Sequence, residues 1–191
     1  MEPLRVPTNT LSTRTRAFNL IKERSFRRGD FVLASGKRSN FYLDMKPTMF
    51  HPEGANVLSE LVFERIRDLN PDYIGGLEMG AVPLVTSVSL ISQQRNRPIP
   101  GFFVRKKVKD HGTRKLLEAA DNLDGKRVVI LEDVTTTGGS ALDAVRAAQE
   151  AGATVLLVLS IVDREEDAAE TYQQAGVAFD QLFRVSEFLN S

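Results

Sequence analysis

The chain has 191 residues, with 25 lysines and arginines against 25 aspartates and glutamates, and it contains neither cysteine nor tryptophan. Zero net charge excludes a general nucleic-acid coat, which needs a broad positive field, and the missing cysteine excludes a disulfide framework, a thiolate nucleophile and a cysteine zinc site. A hydrophobic share of 42% and a charged share of 26% suit a soluble globular chain, long enough for one domain that buries roughly 70% of its unfolded surface without disulfides or metals.

Residues Met1 to Thr13 are rich in Thr, Pro and Asn and read as an irregular arm. They hold no apolar core of the kind a signal peptide carries, so a cytoplasmic location is expected. A helix is predicted over about Arg14–Arg28, then a short strand Phe31–Leu33, a turn Ser35–Asn40 and a second strand Phe41–Leu43. This is a hairpin. From Pro52 the pattern changes. Leu58, Leu61, Val62, Ile66 and Leu69 recur at helical spacing with charges between them, which predicts an amphipathic helix ended by Asn70-Pro71-Asp72.

Tyr73-Ile74 leads into the glycine-rich run Gly75–Gly80, and a helix is predicted over Val82–Gln94. Phe102–Val104 reads as a strand, and Arg105–Asn122 as a polar, basic stretch. Val128–Leu131 is apolar on consecutive positions, as in strands buried on both faces of a parallel sheet. A helix over about Gly139–Glu150, a strand Thr154–Val162, a helix Asp167–Gln174 and an extended Phe179–Phe183 complete the series. The longest apolar run, Val155–Val162, has eight residues, far short of the roughly 20 that a membrane span needs. Alternating strands and helices predict an α/β fold around a mainly parallel sheet, with the N-terminal hairpin as a separate flap.

The segment Val128–Ala144 carries the densest chemistry. A strand ends in Glu132-Asp133, followed by Thr135, Thr136, Thr137, Gly138, Gly139 and Ser140, where a helix begins. Ligands of open α/β sheets bind at the carboxyl ends of the strands, and a helix N-terminus offers free N–H groups to an anion. Hydroxyls add donors and glycines let the backbone close in, so the loop suits a phosphate. Two carboxylates beside a phosphate fit a ligand that also presents ribose hydroxyls or a magnesium-bound sugar. The combination points to a ribose 5-phosphate. No G-x-x-x-x-G-K-[ST] occurs, so this is not a P-loop. The competing reading is an ordinary strand-turn-helix with Ser140 or Thr137 as N-cap.

Arg105-Lys106-Lys107-Val108-Lys109-Asp110-His111-Gly112 places four cations and a histidine in eight residues. A solvated charge run is the bland reading. An RNA contact is disfavoured, because the run is isolated in a neutral chain without interleaved aromatics.

Glu132–Ser140 resembles the 5-phosphoribosyl 1-pyrophosphate (PRPP) motif of type I phosphoribosyltransferases. Arg105, Lys106, Lys109 and His111 are spaced as in the catalytic loop of orotate phosphoribosyltransferases. Phe31–Lys46 resembles the hood pattern of the same family, and Gly75–Ala81 stands where the family has its pyrophosphate loop. The resemblance runs from about Phe18 to Leu189, with the four motifs in the expected order.

The resemblance implies a type I phosphoribosyltransferase fold: a mainly parallel five-stranded sheet flanked by helices, in a single domain. The hood would comprise about residues 1–50 plus the C-terminal segment, and the core about 51–183. It implies transfer of phosphoribosyl from PRPP to orotate, giving orotidine 5′-phosphate and pyrophosphate, a step of pyrimidine synthesis. Magnesium would be bound through PRPP, with no direct protein ligand.

The implied PRPP-binding residues are Glu132, Asp133, Thr135, Thr136, Thr137, Gly138, Gly139 and Ser140. The implied catalytic set is Arg105, Lys106, Lys109, His111 and Asp133. Orotate would meet Tyr42, Leu43, Thr136 and Arg164, the arginine holding its carboxylate; Ser35 and Gly36 would also lie near the base. Without the resemblance, Arg164 reads as a surface pair of Glu165 or Glu166. Some family members carry a lysine where Ala34 stands, and Lys46 is the candidate replacement. Others carry a lysine in place of Met79. The family also implies a homodimer in which residues 105–112 act in the neighbouring subunit's site, with no nucleic-acid or membrane partner. The rival readings are a phosphoribosyltransferase for another base, a non-catalytic PRPP-binding regulator, and an unrelated nucleotide-binding α/β domain.

Overall fold

The computed structural model describes residues 10–32, 36, 38–106 and 116–191. The first described elements are helix α1 (Thr10–Arg24) and strands β1 (Phe26–Val32) and β2 (Arg38–Leu43), the two strands forming an antiparallel hairpin. The helix expected to reach Arg28 stops at Arg24. Phe26, Arg27 and Arg28 are drawn into the ladder opposite Leu43, Tyr42 and Phe41, so β pairing overrides the helical pattern there.

The short helix α2 (Lys46–Met49) leads to α3 (Pro52–Ile66). Leu58, Leu61, Val62 and Ile66 form its buried stripe as expected. Leu69 does not belong to it: the helix tightens into a 3₁₀ turn over Arg67–Leu69, Asn70 takes a left-handed φ of 48°, and Leu69 stays 39% exposed. Strand β3 (Tyr73–Gly75), helix α4 (Ala81–Gln94), strand β4 (Phe102–Val104) and strand β5 (Leu117–Ala119) follow. The sequence pattern gave no sign of β5. It pairs antiparallel with β4, Val104 opposite Leu117, and the backbone N–H of Arg105 donates to the Leu116 carbonyl at 2.8 Å. The basic stretch is thus rooted in a two-stranded ladder.

The remaining elements are β6 (Arg127–Thr135), α5 (Gly139–Glu150), β7 (Thr154–Asp163), α6 (Ala168–Gln174), β8 (Phe179–Arg184) and α7 (Val185–Leu189). Four strands form a parallel sheet in the order β3-β6-β7-β8. A fifth, β4, joins its edge through parallel bridges between Ile74 and Gly101 and between Leu77 and Val104. The expected five-stranded α/β arrangement is therefore present, with β4 attached by bridges rather than a full ladder.

The consecutive apolar residues of β6 divide between two cores. Val129 and Leu131 pack with α3, α4 and the hairpin, while Val128 and Ile130 pack with α5 and α6. This alternation is the period-2 geometry of a strand covered on both faces. The helix α7, which the sequence pattern also missed, closes against the hairpin. Phe188 stacks on Phe18 at 4.6 Å and lies 5.8 Å from Phe26, and Arg28 donates to the carbonyls of Phe188 and Leu189 at the helix end.

Candidate active site

The site lies where β6 leaves the sheet. The strand runs past Glu132-Asp133, where the sequence pattern ended it, and continues to Thr135. Alternation along β6 sends the two carboxylates to opposite faces. Asp133 lies on the α4 side, against Gly80: a Cβ built on Gly80 would sit 2.4 Å from its Oδ1. Only glycine lets that backbone approach so closely. Burial pushes the Asp133 carboxyl above the ordinary range. The backbone N–H groups of Val134 and of Asp133 itself act against that, as does the Lys46 charge. Lys46 bonds Asp44 at 2.7 Å. That bond and the Asp44 and Asp133 charges hold its ammonium above the usual value. The candidate replacement for the lysine absent at position 34 thus stands in the field of the site.

Glu132 faces the other side, in the field of Lys106 and near Tyr172. Burial, then the adjacent Asp133 charge, pushes its carboxyl up to about 8, against a smaller opposing effect of Lys106. Its Oε2 is buried without a hydrogen-bond partner among the described residues. A buried, unpaired carboxyl keeps its proton at neutral pH.

Beyond the strand, Thr136, Thr137, Gly139 and Ser140 are exposed, and Gly138 is buried. Gly138 is the N-cap of α5 with a left-handed φ of 86°, and no side chain caps the helix. The alternative of Thr137 or Ser140 as N-cap does not hold. The first-turn amides therefore keep their donors, backed by the helix dipole, for an anion. Thr135 differs from its neighbours: it is buried, and its hydroxyl shares a 2.9 Å hydrogen bond with Tyr172.

The root of the basic stretch is held by carboxylates. Arg105 Nε meets Glu118 at 3.1 Å, its Nη1 lies 3.8 Å from Glu78, and its guanidinium sits 5.2 Å over the Phe103 ring. The Lys106 backbone N–H donates to Glu78 at 3.0 Å. The Lys106 side chain is not in any of these bonds, and Lys106 is exposed. An open cleft of about 560 Å³ runs from Arg105 and Lys106 to Ser140 and Arg146 on α5. Lys107, Lys109 and His111 lie outside the described residues, as do Ala34 and Ser35.

Arg164 follows β7 directly, and its backbone N–H donates to the Thr135 carbonyl at 3.0 Å. Its side chain is only 7% exposed and bonds Glu166 through Nε at 3.0 Å. The Glu166 pairing of the bland reading is present, but the arginine is buried rather than on the surface. Its guanidinium lies 4.5 Å over the ring of Phe41. In β2, Phe41 and Leu43 point inward, whereas Tyr42 is exposed and packs on Phe31 at 5.6 Å. Phe41, rather than Tyr42, is therefore the hairpin aromatic that reaches Arg164. Strand alternation could have revealed this from the sequence. Tyr172 and Glu78 gave no such signal, because their partners lie 37 and 28 positions away.

A strand-end carboxylate pair, an uncapped helix N-terminus and an exposed hydroxyl-glycine loop stand together at the carboxyl edge of a parallel sheet, the edge at which open α/β sheets bind their ligands. The chain matches the Phosphoribosyl transferase domain family over residues 50–185 and belongs to it. The orotate phosphoribosyltransferase of Rhodopseudomonas palustris strain BisB18 is 54% identical over 183 residues, covering 94% of this chain and 98% of that protein. Among solved structures, the orotate phosphoribosyltransferase of Mycobacterium tuberculosis H37Rv in complex with Fe(III) dicitrate superposes with a TM-score of 0.81 at 33% identity, covering 92% of this chain and 98% of that one. The same Mycobacterium enzyme in complex with PRPP gives 0.77 at 31% identity, with 92% and 98% covered. Within its family the chain belongs to the orotate phosphoribosyltransferases.

Proposed function

We propose that the chain transfers the phosphoribosyl group of PRPP to orotate, releasing pyrophosphate and forming orotidine 5′-phosphate for pyrimidine nucleotide synthesis in the cytoplasm. The observation that carries this reading is the joint edge of β6 and α5, where exposed hydroxyls and uncapped amides face outward beside two carboxylates of different character. Membership of the orotate branch supports the choice of base.

In this reading the 5′-phosphate sits on Thr136–Ser140, and Asp133 faces the ribose hydroxyls. The bond from ribose C1 to the pyrophosphate oxygen breaks, and a ring nitrogen of orotate forms the new bond to C1. The electron pair of the broken bond leaves with pyrophosphate. Arg105, Lys106, Lys109 and His111 meet that charge, and the stretch excludes water from the oxocarbenium-like sugar. The charge of orotate at neutral pH sits on its carboxylate, so the ring nitrogen gives up its proton as it bonds C1, the departing pyrophosphate being the base beside it, and placement of the ring dominates. Arg164, fixed between Glu166 and Phe41, keeps its remaining N–H groups for the orotate carboxylate.

Magnesium is proposed to arrive on PRPP. Asp133, on the α4 face against Gly80, is a hard oxygen donor beside the sugar that would carry the ion. When bound, magnesium neutralises pyrophosphate oxygens. The chain is read as one domain, its hood formed by about residues 1–50 and the C-terminal segment. It is proposed to act as a homodimer in which residues 105–112 serve the partner's site, without nucleic-acid or membrane partners. No described helix is long and apolar enough to cross a membrane.

The test mixes the protein with Mg²⁺, PRPP and a panel of bases and follows orotate absorbance. Loss of absorbance with orotate, and no turnover with adenine, guanine or uracil, is expected. Turnover of another base instead would redirect the assignment, and PRPP binding without any turnover would mark a regulator. Arg164→Ala should raise the orotate KM by roughly 10- to 100-fold while leaving the PRPP KM near its starting value.

A further inference from the structure

Tyr172 is the largest fully buried side chain of the described residues, and nothing in the proposed chemistry uses it. It sits on α6, 37 positions beyond Thr135, yet it touches both ends of the phosphate loop. Its hydroxyl shares a 2.9 Å hydrogen bond with Thr135 Oγ1, where the loop leaves β6. Its ring edge lies against Gly138, where the loop enters α5: a Cβ built there would meet Tyr172 Cζ at 3.0 Å, Cε1 at 3.2 Å and Oη at 3.3 Å. The ring is itself fixed by Phe179 at 4.7 Å, and the Tyr172 carbonyl accepts from Val177 at 2.9 Å.

From these contacts we infer that Tyr172 is a positioning residue for PRPP, setting the shape of the Thr135–Gly139 loop from beneath. The inference rests on the reading of that loop as the 5′-phosphate site. A loop of exposed threonines and glycines has many conformers of similar energy, and only one of them presents its amides and hydroxyls together. Tyr172 removes this freedom at two points. The hydroxyl holds Thr135 inward, so the side chains available to a phosphate begin at Thr136. The ring lies under the Gly138 backbone, whose left-handed φ of 86° aims the first amides of α5 outward.

Tyr172→Phe keeps the ring and removes the hydroxyl. The expected result is a PRPP KM raised roughly five- to tenfold, with kcat and the orotate KM within about twofold of the parent. A purely structural tyrosine would lower thermal stability and leave this split absent. Tyr172→Phe combined with Thr135→Val separates the two roles, since valine removes the orphaned hydroxyl. The double variant should regain the stability that Tyr172→Phe loses while its PRPP KM stays high. If the PRPP KM returns to the parent value together with stability, or if both KM values rise equally, the positioning role is overturned. Calorimetric titration of the parent protein with Mg²⁺ and PRPP tells the two failures apart. A parent that does not take PRPP brings down the phosphate-loop reading and this inference with it. A parent that takes PRPP no better than Tyr172→Phe brings down this inference alone.

Discussion

The loop after β6 and the stretch after β4 both leave the carboxyl edge of the sheet with groups the proposed reaction needs, yet they are held by different forces. The β6 loop is fixed by neighbours in sequence and by packing: a strand on one side, a left-handed glycine, a helix on the other and a buried tyrosine beneath. The root of the basic stretch is fixed by ion pairs from Arg105 to Glu118 on the paired strand β5 and to Glu78 in the glycine-rich run after β3. Packing contacts in a dry interior are stiff, while half-exposed ion pairs are weak and screened by salt. One region is thus built as a template, and the other, held by weaker contacts, is proposed to serve as a gate root. A template suits a phosphate that does not change charge during the reaction. A gate suits a pyrophosphate whose charge grows as its bond breaks.

The largest test of this contrast is Lys109→Ala. If the basic stretch acts on developing charge, kcat should fall roughly 10²- to 10³-fold with little change in the orotate KM. Steady-state kinetics check it, and an unchanged kcat would remove the stretch from the chemistry. Next comes Gly138→Ala. Alanine at a φ of 86°, with its Cβ 3.0 Å from the Tyr172 ring, should cost about 1–3 kcal/mol of stability. Because the strain falls on the template, the PRPP KM should rise by roughly tenfold or more while kcat falls less. Equal losses in kcat and in both KM values would mean the loop is no more special than any other strained turn.

The carboxylate pair offers a pH test of the template side. Burial and Asp133 hold Glu132 up to about 8, above the ordinary carboxylate range that the unfolded chain has. Between roughly pH 4.5 and 8 the unfolded state loses this proton and the folded state keeps it, so this group makes stability fall as pH rises through that window and levels it above. Glu132→Gln removes the titration. Its stability relative to the parent should be unchanged near pH 4 and should grow by a few kcal/mol by pH 8.5, read from denaturant unfolding. A parent and variant with parallel pH profiles would mean that Glu132 is ionised in the folded protein.

The template was legible in the sequence and the gate root was not. Glu132–Ser140 announces itself because strand, turn glycines and helix start are consecutive, and each obeys a local rule. Only details there escaped: the strand runs two residues further than its carboxylates, and Thr135 turns inward because of a tyrosine 37 positions on. The hairpin was legible as a hairpin. The face it presents needed the pairing register, which puts Phe41 rather than Tyr42 over Arg164. Strand β5 and helix α7 gave no signal, since three residues of Leu-Glu-Ala and five of Val-Ser-Glu-Phe-Leu are too short for periodicity to speak. Their existence is decided by β4 and by the aromatic cluster around Phe188.

The smallest expected effect probes the gate root itself. Glu118→Gln removes one of the two carboxylates around Arg105, and both partners of that pair are partly solvated, with side chains 24% and 30% exposed. An ion pair in that setting contributes about 0.2–1 kcal/mol, and less as salt is added. Arg105 retains Glu78 at 3.8 Å, and the Lys106 backbone stays bonded to the same Glu78, so the ladder of β4 and β5 should persist. Thermal unfolding should therefore move by a degree or so at low salt and by less at high salt, with kcat within about twofold of the parent. A large fall in kcat without loss of stability would mean that Glu118 orients Arg105 toward the leaving group. The root would then be as much a template as the phosphate loop, and the contrast between the two regions would not stand.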